Sequence, residues 1–355
     1  MANEKALIGM SGGVDSSVAA HLTMGAGYDC IGATMKLYTQ PDSTCCSIDD
    51  VEDARSVAFR LGIPFYVFNF SEDFRSKVMD SFVSAYESGL TPNPCIECNR
   101  HLKFDRFLRR AMELGCEKIV TGHYAQIQQD PATGRYLLKK AADEAKDQTY
   151  FLYTLTQEQL SHTLFPLGSL TKEQVRIIAQ EQGFINAKKR DSQDICFVPD
   201  GDYLAFMKRY AGKKYPCGDY LDLQGNKVGT HNGAVGYTLG QRKGLGIALG
   251  APVYVCSKDM QANTVTVGPN EALFHKALRA SDWNWIAIPE LTTPMRVKAK
   301  ARSRMTEELT TVYPEENGFA RVEFDEPQRA ITPGQAVVLY DGDIVVGGGT
   351  ITEIL

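Results

Sequence analysis

Residues 6–24, ALIGMSGGVDSSVAAHLTM, join a short apolar run to a helical pattern through a glycine-rich turn. Strand, turn and helix in this order form the first unit of an α/β domain. β-rich runs and helical periods alternate as far as about residue 205, which predicts a parallel sheet with helices on both faces. Ligands of such sheets bind at the carboxyl ends of the strands. We therefore expect a binding site where the first strand meets the glycine-rich turn.

The turn itself, SGGVDSS from Ser11 to Ser17, has the composition of a phosphate-binding loop. Its glycines allow positive φ and close backbone approach, so that successive N–H groups and the helix N-terminus can surround a phosphate or pyrophosphate. Asp15 is suited to hold Mg²⁺, and the serine hydroxyls are suited to donate to phosphate oxygens. The loop matches neither the Walker A pattern nor GxGxxG. The alternative is an ordinary glycine-rich turn with Ser16 as helix N-cap.

Beyond about Tyr215 the helical periods give way to short β-rich runs separated by turn residues, which is an all-β pattern. Pro269-Asn270 and the helix-like stretch EALFHKA after it indicate a break near residue 270. We predict an α/β catalytic domain and two smaller, mainly-β modules, of which the last is a β-barrel. The predicted domains are 1–205 (catalytic), 206–272 (central) and 273–355 (C-terminal barrel).

Composition excludes several classes of protein. The 355 residues are 43% hydrophobic and 23% charged, which a disordered chain would not be. No run of about 18 apolar residues occurs, so we expect a cytoplasmic protein, and the odd number of nine cysteines is typical of cytosolic thiols. The net charge of -5 is uneven: -7 for residues 1–98, +5 for 99–214 and -3 for 215–355. A polyanion is therefore expected to dock near the middle segment.

Two cysteine-bearing segments have cations beside them. Cys95 and Cys98 form a CxxC just before a helix rich in arginine and lysine, and Cys196 follows the cations of residues 188–190. Nearby cations lower the pKa of a thiol and favour the nucleophilic thiolate. Both segments are therefore predicted to carry out sulfur chemistry.

A zinc half-site is the alternative interpretation of the CxxC. Cys45 and Cys46 are the nearby candidates to complete it, and adjacent cysteines are poor zinc chelators. The remaining four cysteines lie in β-rich or helix-end contexts without basic neighbours, and we expect them to be buried and inert. They are Cys30, Cys116, Cys217 and Cys256.

Residues 296–304, RVKAKARSR, alternate five cations with small or apolar residues. On a β-strand this period places all five on one face, about 6.6 Å apart, which is comparable with the phosphate spacing of a nucleic acid strand. No acid lies between Leu291 and Thr306. The stretch therefore predicts an RNA-binding face, with a solvated outer face of a sheet as the alternative.

His123 is expected to be structural, and Tyr150 and Phe151 are expected to face either a target base or the core.

Six segments together carry a family resemblance: SGGVDSS, TPNPCIECNRHLKF, TGHYA, KDQTYFLYTL, RDSQDICFVPDGDY and GYTLGQRKGLGI. The first resembles the PP-loop of ATP pyrophosphatases, and the set resembles, essentially end to end, the MnmA/TrmU family of tRNA-specific 2-thiouridylases. The resemblance implies that ATP adenylates the C2 oxygen of the wobble uridine of certain tRNAs, after which sulfur replaces that oxygen. It also implies Mg²⁺, and a sulfur donor that is a cysteine desulfurase, a sulfur-relay protein or sulfide.

The same resemblance implies roles for individual residues. Cys196 matches the cysteine that carries a persulfide, and Cys98 matches its nucleophilic or resolving partner, with which it would form a disulfide in turnover. Nucleotide contacts fall on Gly9, Met10, Ser11, Gly12, Gly13, Val14, Asp15, Ser16, Met35 and Gly122. Contacts with tRNA fall on Lys146, Asp147, Gln148, Arg302 and Ser303, and contacts with the target base on Asn93, Pro94 and Cys95.

One position departs from the family pattern and leaves the mechanism open. Many relatives have an aspartate where this chain has Cys95, and a thiol relays protons only if its pKa is near neutral. Cys95, Cys98 and Cys196 are alternatively three thiolate ligands of a [4Fe-4S] cluster with an open iron for sulfide. Two other functions also stay open. One is a PP-loop synthetase that adenylates a small-molecule carbonyl, and the other is a non-catalytic RNA-binding Fe-S protein.

Overall fold

The computed structural model describes residues 3–38, 47–189 and 195–355. Its first half is built on a five-stranded sheet, and both predicted features of this half, parallel strands and helices on the two faces, are confirmed. The strands of this half are β1 (Lys5–Gly9), β2 (Asp29–Lys36), β3 (Phe65–Asn69), β4 (Lys118–Val120), β5 (Gln126–Gln129), β6 (Tyr136–Lys139) and β7 (Thr163–Leu164). The parallel sheet has the order β3-β2-β1-β4-β7. β5 and β6 form a separate antiparallel hairpin.

Helices cover both faces of this sheet. Successive side chains of β1 point to opposite faces, so that Leu7 joins one hydrophobic cluster while Ala6 and Ile8 join another. The α-helices are α1 (Val14–Gly25), α2 (Ile48–Leu61), α3 (Ser71–Phe74), α4 (Asp80–Glu87), α5 (Pro94–Cys98), α6 (Phe107–Glu113), α7 (Thr149–Leu152), α8 (Gln157–Ser161), α9 (Lys172–Glu181) and α10 (Tyr203–Ala211). None of the helices in the described part of the chain is long and apolar enough to cross a membrane.

The CxxC lies inside a helix, and the expectation that it precedes the helix is wrong. Asn93 is the N-cap, its Oδ1 accepts a hydrogen bond from the Cys95 N–H at 3.1 Å, and Pro94 occupies the first helical position. Proline fits there because its missing N–H would have no partner in the helix. The helix continues from α5 through a π-helical stretch, Asn99–Arg106, into α6. Cys95 and Cys98 therefore occupy its first turns.

The second half contains two further sheets. β8 (Gly218–Leu221), β9 (Lys227–His231), β10 (Tyr254–Asp259) and β11 (Thr264–Gly268) form a four-stranded sheet in the order β10-β11-β8-β9. The remaining strands are β12 (Phe274–Trp285), β13 (Met295–Lys300), β14 (Glu308–Pro314), β15 (Ala320–Arg329), β16 (Ala336–Asp341) and β17 (Ile344–Ile354). They form the predicted barrel in the order β12-β15-β14-β13-β16-β17, which pairing between β12 and β17 closes.

Two features of the barrel differ from expectation. The stretch EALFHKA is helical only as a 3-10 turn over Asn270–Leu273, because Phe274 already begins β12, which pairs with both β15 and β17. These pairings override the local helical preference. In addition, the β5-β6 hairpin of the first half joins the barrel sheet through β17.

The barrel also fixes the approach to the CxxC helix. The Thr91 N–H donates to the Pro333 carbonyl at 2.9 Å, and the Gln335 side chain donates to the Thr91 carbonyl at 2.7 Å. Two residues beyond Cys98 the Arg100 guanidinium pairs with Asp282 of β12 at 2.7 Å. The position of the CxxC relative to the sheet is thus set by the C-terminal half of the chain.

Candidate active site

The carboxyl ends of β1, β2 and β4 surround a pocket of about 250 Å³. Seven of the ten residues predicted to contact a nucleotide line it, and Gln148, predicted to contact tRNA, lines it too. The lining also contains residues that sequence reasoning missed or assigned only a structural role. The full lining is Gly9, Met10, Ser11, Asp15, Ser16, Thr34, Met35, Leu37, Lys103, Thr121, Gly122, His123 and Gln148.

A second, larger cavity of about 460 Å³ lies away from this pocket. It is bounded by the C-terminal part of α1, by β7 and by the β5-β6 hairpin, and its lining includes Leu22, Tyr28, Lys118 and Tyr136. Its lining contains no residue of the glycine-rich turn and no cysteine. The smaller pocket is therefore the candidate active site, because its chemistry and its position at the strand ends agree.

The glycine-rich turn has the geometry of a phosphate loop. Gly12 has φ of 76°, and a Cβ at this position would lie 2.2 Å from the Asp50 carbonyl oxygen, so only glycine fits. Gly13 is the N-cap of α1, which makes the alternative with Ser16 as N-cap wrong. The Ser16 and Ser17 hydroxyls instead donate to the Gly13 carbonyl, at 3.0 and 3.1 Å. The pocket therefore adjoins the amino end of a 12-residue helix, the place that favours an anion.

Gly122 brings the loop after β4 against the glycine-rich turn. A Cβ at Gly122 would lie 2.8 Å from both the Asp15 carbonyl carbon and the Ser16 nitrogen. The next residue, His123, is buried, and its Nδ1 shares a hydrogen bond with the Thr121 hydroxyl at 2.8 Å. Burial lowers the pKa of His123 well below its ordinary value, and the charge of Lys103 lowers it further. His123 is thus a neutral, structural residue of the pocket wall, as predicted.

Asp15 is held by two residues that sequence reasoning missed. The Lys172 Nζ donates to both carboxylate oxygens, at 2.7 and 2.8 Å, and the Tyr124 hydroxyl donates to Oδ1 at 2.9 Å. Lys172 opens α9, directly after its N-cap Thr171. A protein site for Mg²⁺ commonly provides one or two carboxylates, with phosphates and waters completing the shell. Asp15 at the pocket wall fits that requirement.

The segment 186–189 packs directly on the glycine-rich turn. The buried Asn186 amide donates to the Gly12 carbonyl at 3.0 Å and to the Ser17 hydroxyl at 2.9 Å. The Lys189 ammonium pairs with Asp50 at 2.7 Å and with Asp53 at 2.6 Å, both on α2. Lys189 was expected to activate Cys196, but its charge is neutralised at α2. Lys188 is exposed, and Arg190 lies outside the described residues.

The two predicted catalytic thiols belong to one hydrophobic cluster. Cys98 is buried within it, and the half-buried Cys196 packs against it. Phe197 anchors the second thiol, since its ring meets those of Phe82 at 5.3 Å and Phe74 at 5.8 Å, edge to face in both cases. Both cysteines therefore pack on the same core, which also contains Leu7 of β1, although 97 residues lie between them in the chain.

Cys95 does not have the lowered pKa that the basic neighbours predicted. Its residue surface is exposed, yet the protein around the thiol is dense enough that desolvation raises the pKa above its ordinary value. The charge of Lys103 offsets this only in part. A thiol with a raised pKa is a poor proton relay at neutral pH. The surroundings of Cys95 therefore do not prepare its thiol to relay protons.

The alternative in which three cysteines bind a [4Fe-4S] cluster needs its ligands close together, and the described residues do not group them. Among residues 3–38, 47–189 and 195–355, no three Cys, His, Asp or Glu side chains are grouped closely enough to hold a metal ion, and Cys95, Cys98 and Cys196 fall in those ranges. The residues as placed do not fit a [4Fe-4S] cluster. Cys45 and Cys46, the zinc candidates, lie outside the described residues.

Of the four cysteines expected to be buried and inert, two differ. Cys30 and Cys116 are buried, and burial raises the pKa of the Cys30 thiol to about 11. Cys217 is exposed and Cys256 is half-buried. Cys217 lies at the start of the central sheet, immediately before β8, and β-rich sequence alone did not distinguish an outward from an inward position.

Of the segment Lys146–Gln148, predicted to contact tRNA, Gln148 lines the pocket, and the Asp147 side chain stabilises the local chain. Asp147 accepts hydrogen bonds from the Ala141 N–H at 3.0 Å and from the Thr149 hydroxyl at 2.6 Å, and desolvation raises its pKa. Gln148 accepts from the Tyr124 N–H at 2.8 Å while it lines the pocket. Beyond this segment Tyr150 is buried and donates to the Ala336 carbonyl at 2.9 Å, so it faces the core and not a base.

The basic stretch 296–304 does not form one continuous cationic face. β13 ends at Lys300, so only Arg296, Lys298 and Lys300 share the outward face of the strand. Arg296 pairs with Asp325 of β15 at 2.6 Å, and Lys300 lies 3.7 Å from Glu307. The basic stretch contains no acid, but Asp325 and Glu307, from other parts of the barrel, lie beside its cations in the fold. The expectation of five uncompensated charges is wrong.

Arg302 and its neighbours form a turn after β13. The Arg302 guanidinium donates to the Leu239 carbonyl at 3.1 Å and to the Thr332 hydroxyl. Desolvation lowers the pKa of Arg302, which is consistent with a group enclosed between the central module and the barrel. Ser303 is half-buried and Arg304 is exposed.

Comparisons with known proteins agree along the whole chain. Three family models match consecutive parts: a tRNA methyl transferase HUP domain over residues 4–200, a tRNA methyl transferase PRC-barrel domain over 204–269 and an aminomethyltransferase beta-barrel domain over 275–351. The chain is 52% identical to the tRNA-specific 2-thiouridylase MnmA of Clostridioides difficile, over 99% of both chains. It is 52% identical to that of Acetivibrio thermocellus, over 99% of this chain and 100% of the relative. It is 53% identical to that of Symbiobacterium thermophilum, over 99% of this chain and 93% of the relative.

Proposed function

The chain belongs to the family of tRNA-specific 2-thiouridylases and is a tRNA sulfurtransferase, and we propose that its pocket at the ends of β1, β2 and β4 uses ATP to adenylate the wobble uridine. One observation carries the proposal. The phosphate loop, Asp15 and Gly122 line one pocket, while the helix that contributes Lys103 to the same pocket also carries Cys98. Activation and sulfur transfer can therefore act on one bound uridine.

In the first step the C2 oxygen of the uridine attacks the α-phosphorus of ATP, and pyrophosphate leaves. The backbone N–H groups of the glycine-rich turn and the amino end of α1 bind the pyrophosphate portion. Asp15 would hold Mg²⁺, which when bound neutralises charge on the phosphates. Lys172 keeps the carboxylate of Asp15 aimed at the pocket, and Gly122 allows the loop after β4 to close against the turn.

In the second step sulfur replaces the activated oxygen. We assign the persulfide to Cys196: its terminal sulfur attacks C2, and AMP leaves with the former uridine oxygen. The Cys98 thiolate then attacks the Cys196 Sγ, which forms a disulfide between the two cysteines and releases the new thiocarbonyl. A thiol reductant must reduce this disulfide before a cysteine desulfurase or a sulfur-relay protein transfers the outer sulfur of its own persulfide to the Cys196 thiol. Sulfide would instead have to attack the Cys196 Sγ of the disulfide itself, which forms the Cys196 persulfide and releases the Cys98 thiolate. The shared hydrophobic cluster of the two thiols supports this assignment.

For substrate recognition we propose that Asn93–Cys95 contact the target base and that Lys146–Gln148 contact the tRNA beside the pocket. Gln148 in the pocket lining supports the second assignment. In the turn after β13 we propose Ser303 and Arg304 as tRNA contacts, while the enclosed Arg302 supports them from behind. We also propose a cytoplasmic location, which the odd number of nine cysteines supports.

Cysteine substitution tests the sulfur step. Cys196→Ser and Cys98→Ser are expected to abolish 2-thiouridine formation in unmodified tRNA while ATP is still cleaved to AMP in the presence of tRNA. Cys95→Ser is expected to retain most of the activity. The matched control is Cys256→Ser, a half-buried thiol in the central module. Equal loss of activity and of bound iron in the Cys95, Cys98 and Cys196 variants would contradict the persulfide route and favour a cluster.

A further inference from the structure

Lys103 is the only lysine or arginine in the pocket lining that the described residues provide. The other nearby cation, Lys172, makes a two-point ion pair with Asp15, so its charge is balanced in this state. His123 is neutral, because burial and the Lys103 charge lower its pKa. A nucleotide that enters the pocket brings several negative charges, and Lys103 is the positive side chain in place to meet them.

The helix that carries Lys103 is built to direct it there. Lys103 lies in the π-helical stretch between the fully buried Leu102 and Phe104, and the Phe104 ring lies 5.6 Å from the ring of His123 in the pocket wall. Its apolar stem can therefore pack on the core while the ammonium group faces the pocket. π-helical turns occur frequently at functional sites, where they change which side chains point to a ligand.

The position of Lys103 also indicates which phosphate it meets. The glycine-rich turn and Asp15 occupy one side of the pocket, where the pyrophosphate portion is expected. Lys103 lines the same pocket and lies five residues after Cys98 on the continuous helix that starts at Pro94. It thus lies between the phosphate loop and the side from which the uridine and the sulfur arrive. The α-phosphate, which links the two halves of the reaction, must occupy that same place.

We propose that Lys103 is a catalytic residue that binds the α-phosphate of ATP and stays paired with the phosphate of the adenylated uridine until AMP leaves. The inference rests on the proposed adenylation. In both steps negative charge changes at this phosphate, first as pyrophosphate departs and then as AMP departs. A fixed ammonium group at that position stabilises both transition states electrostatically.

Binding measurements with three adenine ligands test the assignment without turnover. We would measure dissociation constants for adenosine, AMP and a non-hydrolysable ATP analogue with the wild-type protein and with Lys103→Met, Lys103→Arg and Arg109→Met. Arg109 is the matched control, since it is exposed on the same helix and pairs with Asp105. Lys103→Met is expected to weaken AMP and the ATP analogue by the same factor, about 10- to 100-fold, and to leave adenosine unchanged. Lys103→Arg should retain most of the affinity.

Three outcomes would overturn the assignment. The first is an equal loss of adenosine binding in Lys103→Met, which would indicate a change of pocket shape. The second is a loss for the ATP analogue without a loss for AMP, which would place Lys103 at the β- or γ-phosphate. The third is unchanged affinity for all three ligands. A wild-type protein that binds no ATP would instead contradict the proposed adenylation, so the two failures are distinguishable.

Discussion

The glycine-rich turn and the basic strand β13 are two short stretches of sequence that both predict contact with phosphate, and the fold treats them in opposite ways. The turn keeps its groups directed at a pocket: Ser11, Asp15 and Ser16 all line it. The strand loses much of its free charge to neighbours: Arg296 pairs with Asp325, and Lys300 lies beside Glu307. The glycine-rich turn therefore keeps its groups available to a ligand, while part of the charge on β13 is neutralised by ion pairs within the barrel.

The difference comes from what each motif depends on. Backbone N–H groups at a turn between a strand and a helix are directed by local geometry, and nothing distant in sequence can neutralise them. Cations on a strand depend on the strands beside them, and in a barrel each strand has two neighbours. A local motif can thus be trusted further when its chemistry is carried by the backbone than when it is carried by long charged side chains.

Removal of Asp15 tests the first region and has the largest expected effect. Asp15→Asn should reduce the formation of AMP and pyrophosphate below detection, because the carboxylate addresses metal and phosphate, and should leave tRNA affinity within a few-fold. Asp105→Asn, a half-buried acid in the π-helical stretch that pairs with Arg109, is the matched control and should be fully active. The readouts are AMP release from labelled ATP and tRNA binding by filter retention. A large loss of tRNA binding in Asp15→Asn would contradict the assignment.

A substitution at Gly122, which contacts the glycine-rich turn, is expected to have the second-largest effect on adenylation. Gly122→Ala should lower the adenylation rate by about 100-fold, because a Cβ there collides with the backbone of Asp15 and Ser16 and displaces the loop. Gly25→Ala is the matched control. No atom lies within 4 Å of its would-be Cβ, so the activity should not change. Wild-type adenylation by Gly122→Ala would mean that the closeness of the two loops has no role in catalysis.

Substitutions in the turn after β13 are expected to have smaller effects, and they separate a structural arginine, Arg302, from a proposed tRNA contact, Arg304. Arg302→Met should lower the free energy of unfolding by about 1–3 kcal/mol, because it leaves the enclosed Leu239 carbonyl without its donor. Arg304→Met should leave stability unchanged and lower the slope of log K for tRNA against log salt by about 0.7 to 0.9, as expected for one lost phosphate contact. Chemical denaturation and salt titration of tRNA binding measure the two quantities. The reverse pattern would restore Arg302 as a tRNA contact.

Much of the fold was predictable because the hydrophobic residues of its strands and helices recur with a local periodicity in the sequence. The alternation of β-rich runs and helical periods predicted the parallel sheet, and the short runs beyond Tyr215 predicted the barrel. Of the pocket, the parts contributed by motif residues such as Asp15 and Gly122 were found in advance. The π-helical turn that aims Lys103 was not, because no sequence period distinguishes it from an α-helix.

The partners of the motif residues were out of reach of sequence reasoning for a different reason. Lys172 pairs with Asp15 across 157 positions, and Lys189 pairs with Asp50 across 139. Both are surface-type residues in ordinary helical or basic contexts, and only the tertiary fold brings them to an acid. A lysine at the first position of α9 was a weak signal for the first pair, since a cation there opposes the helix dipole and needs a compensating partner.

The fate of the uridine oxygen tests the central claim most directly. A tRNA whose wobble uridine carries ¹⁸O at C2 would be thiolated in a single turnover with ATP and a sulfur donor, and the AMP would be analysed by mass spectrometry. The proposed adenylation predicts one ¹⁸O in the phosphate of AMP for each 2-thiouridine formed, and no labelled AMP from Asp15→Asn. Formation of 2-thiouridine with unlabelled AMP, or without AMP, would contradict it.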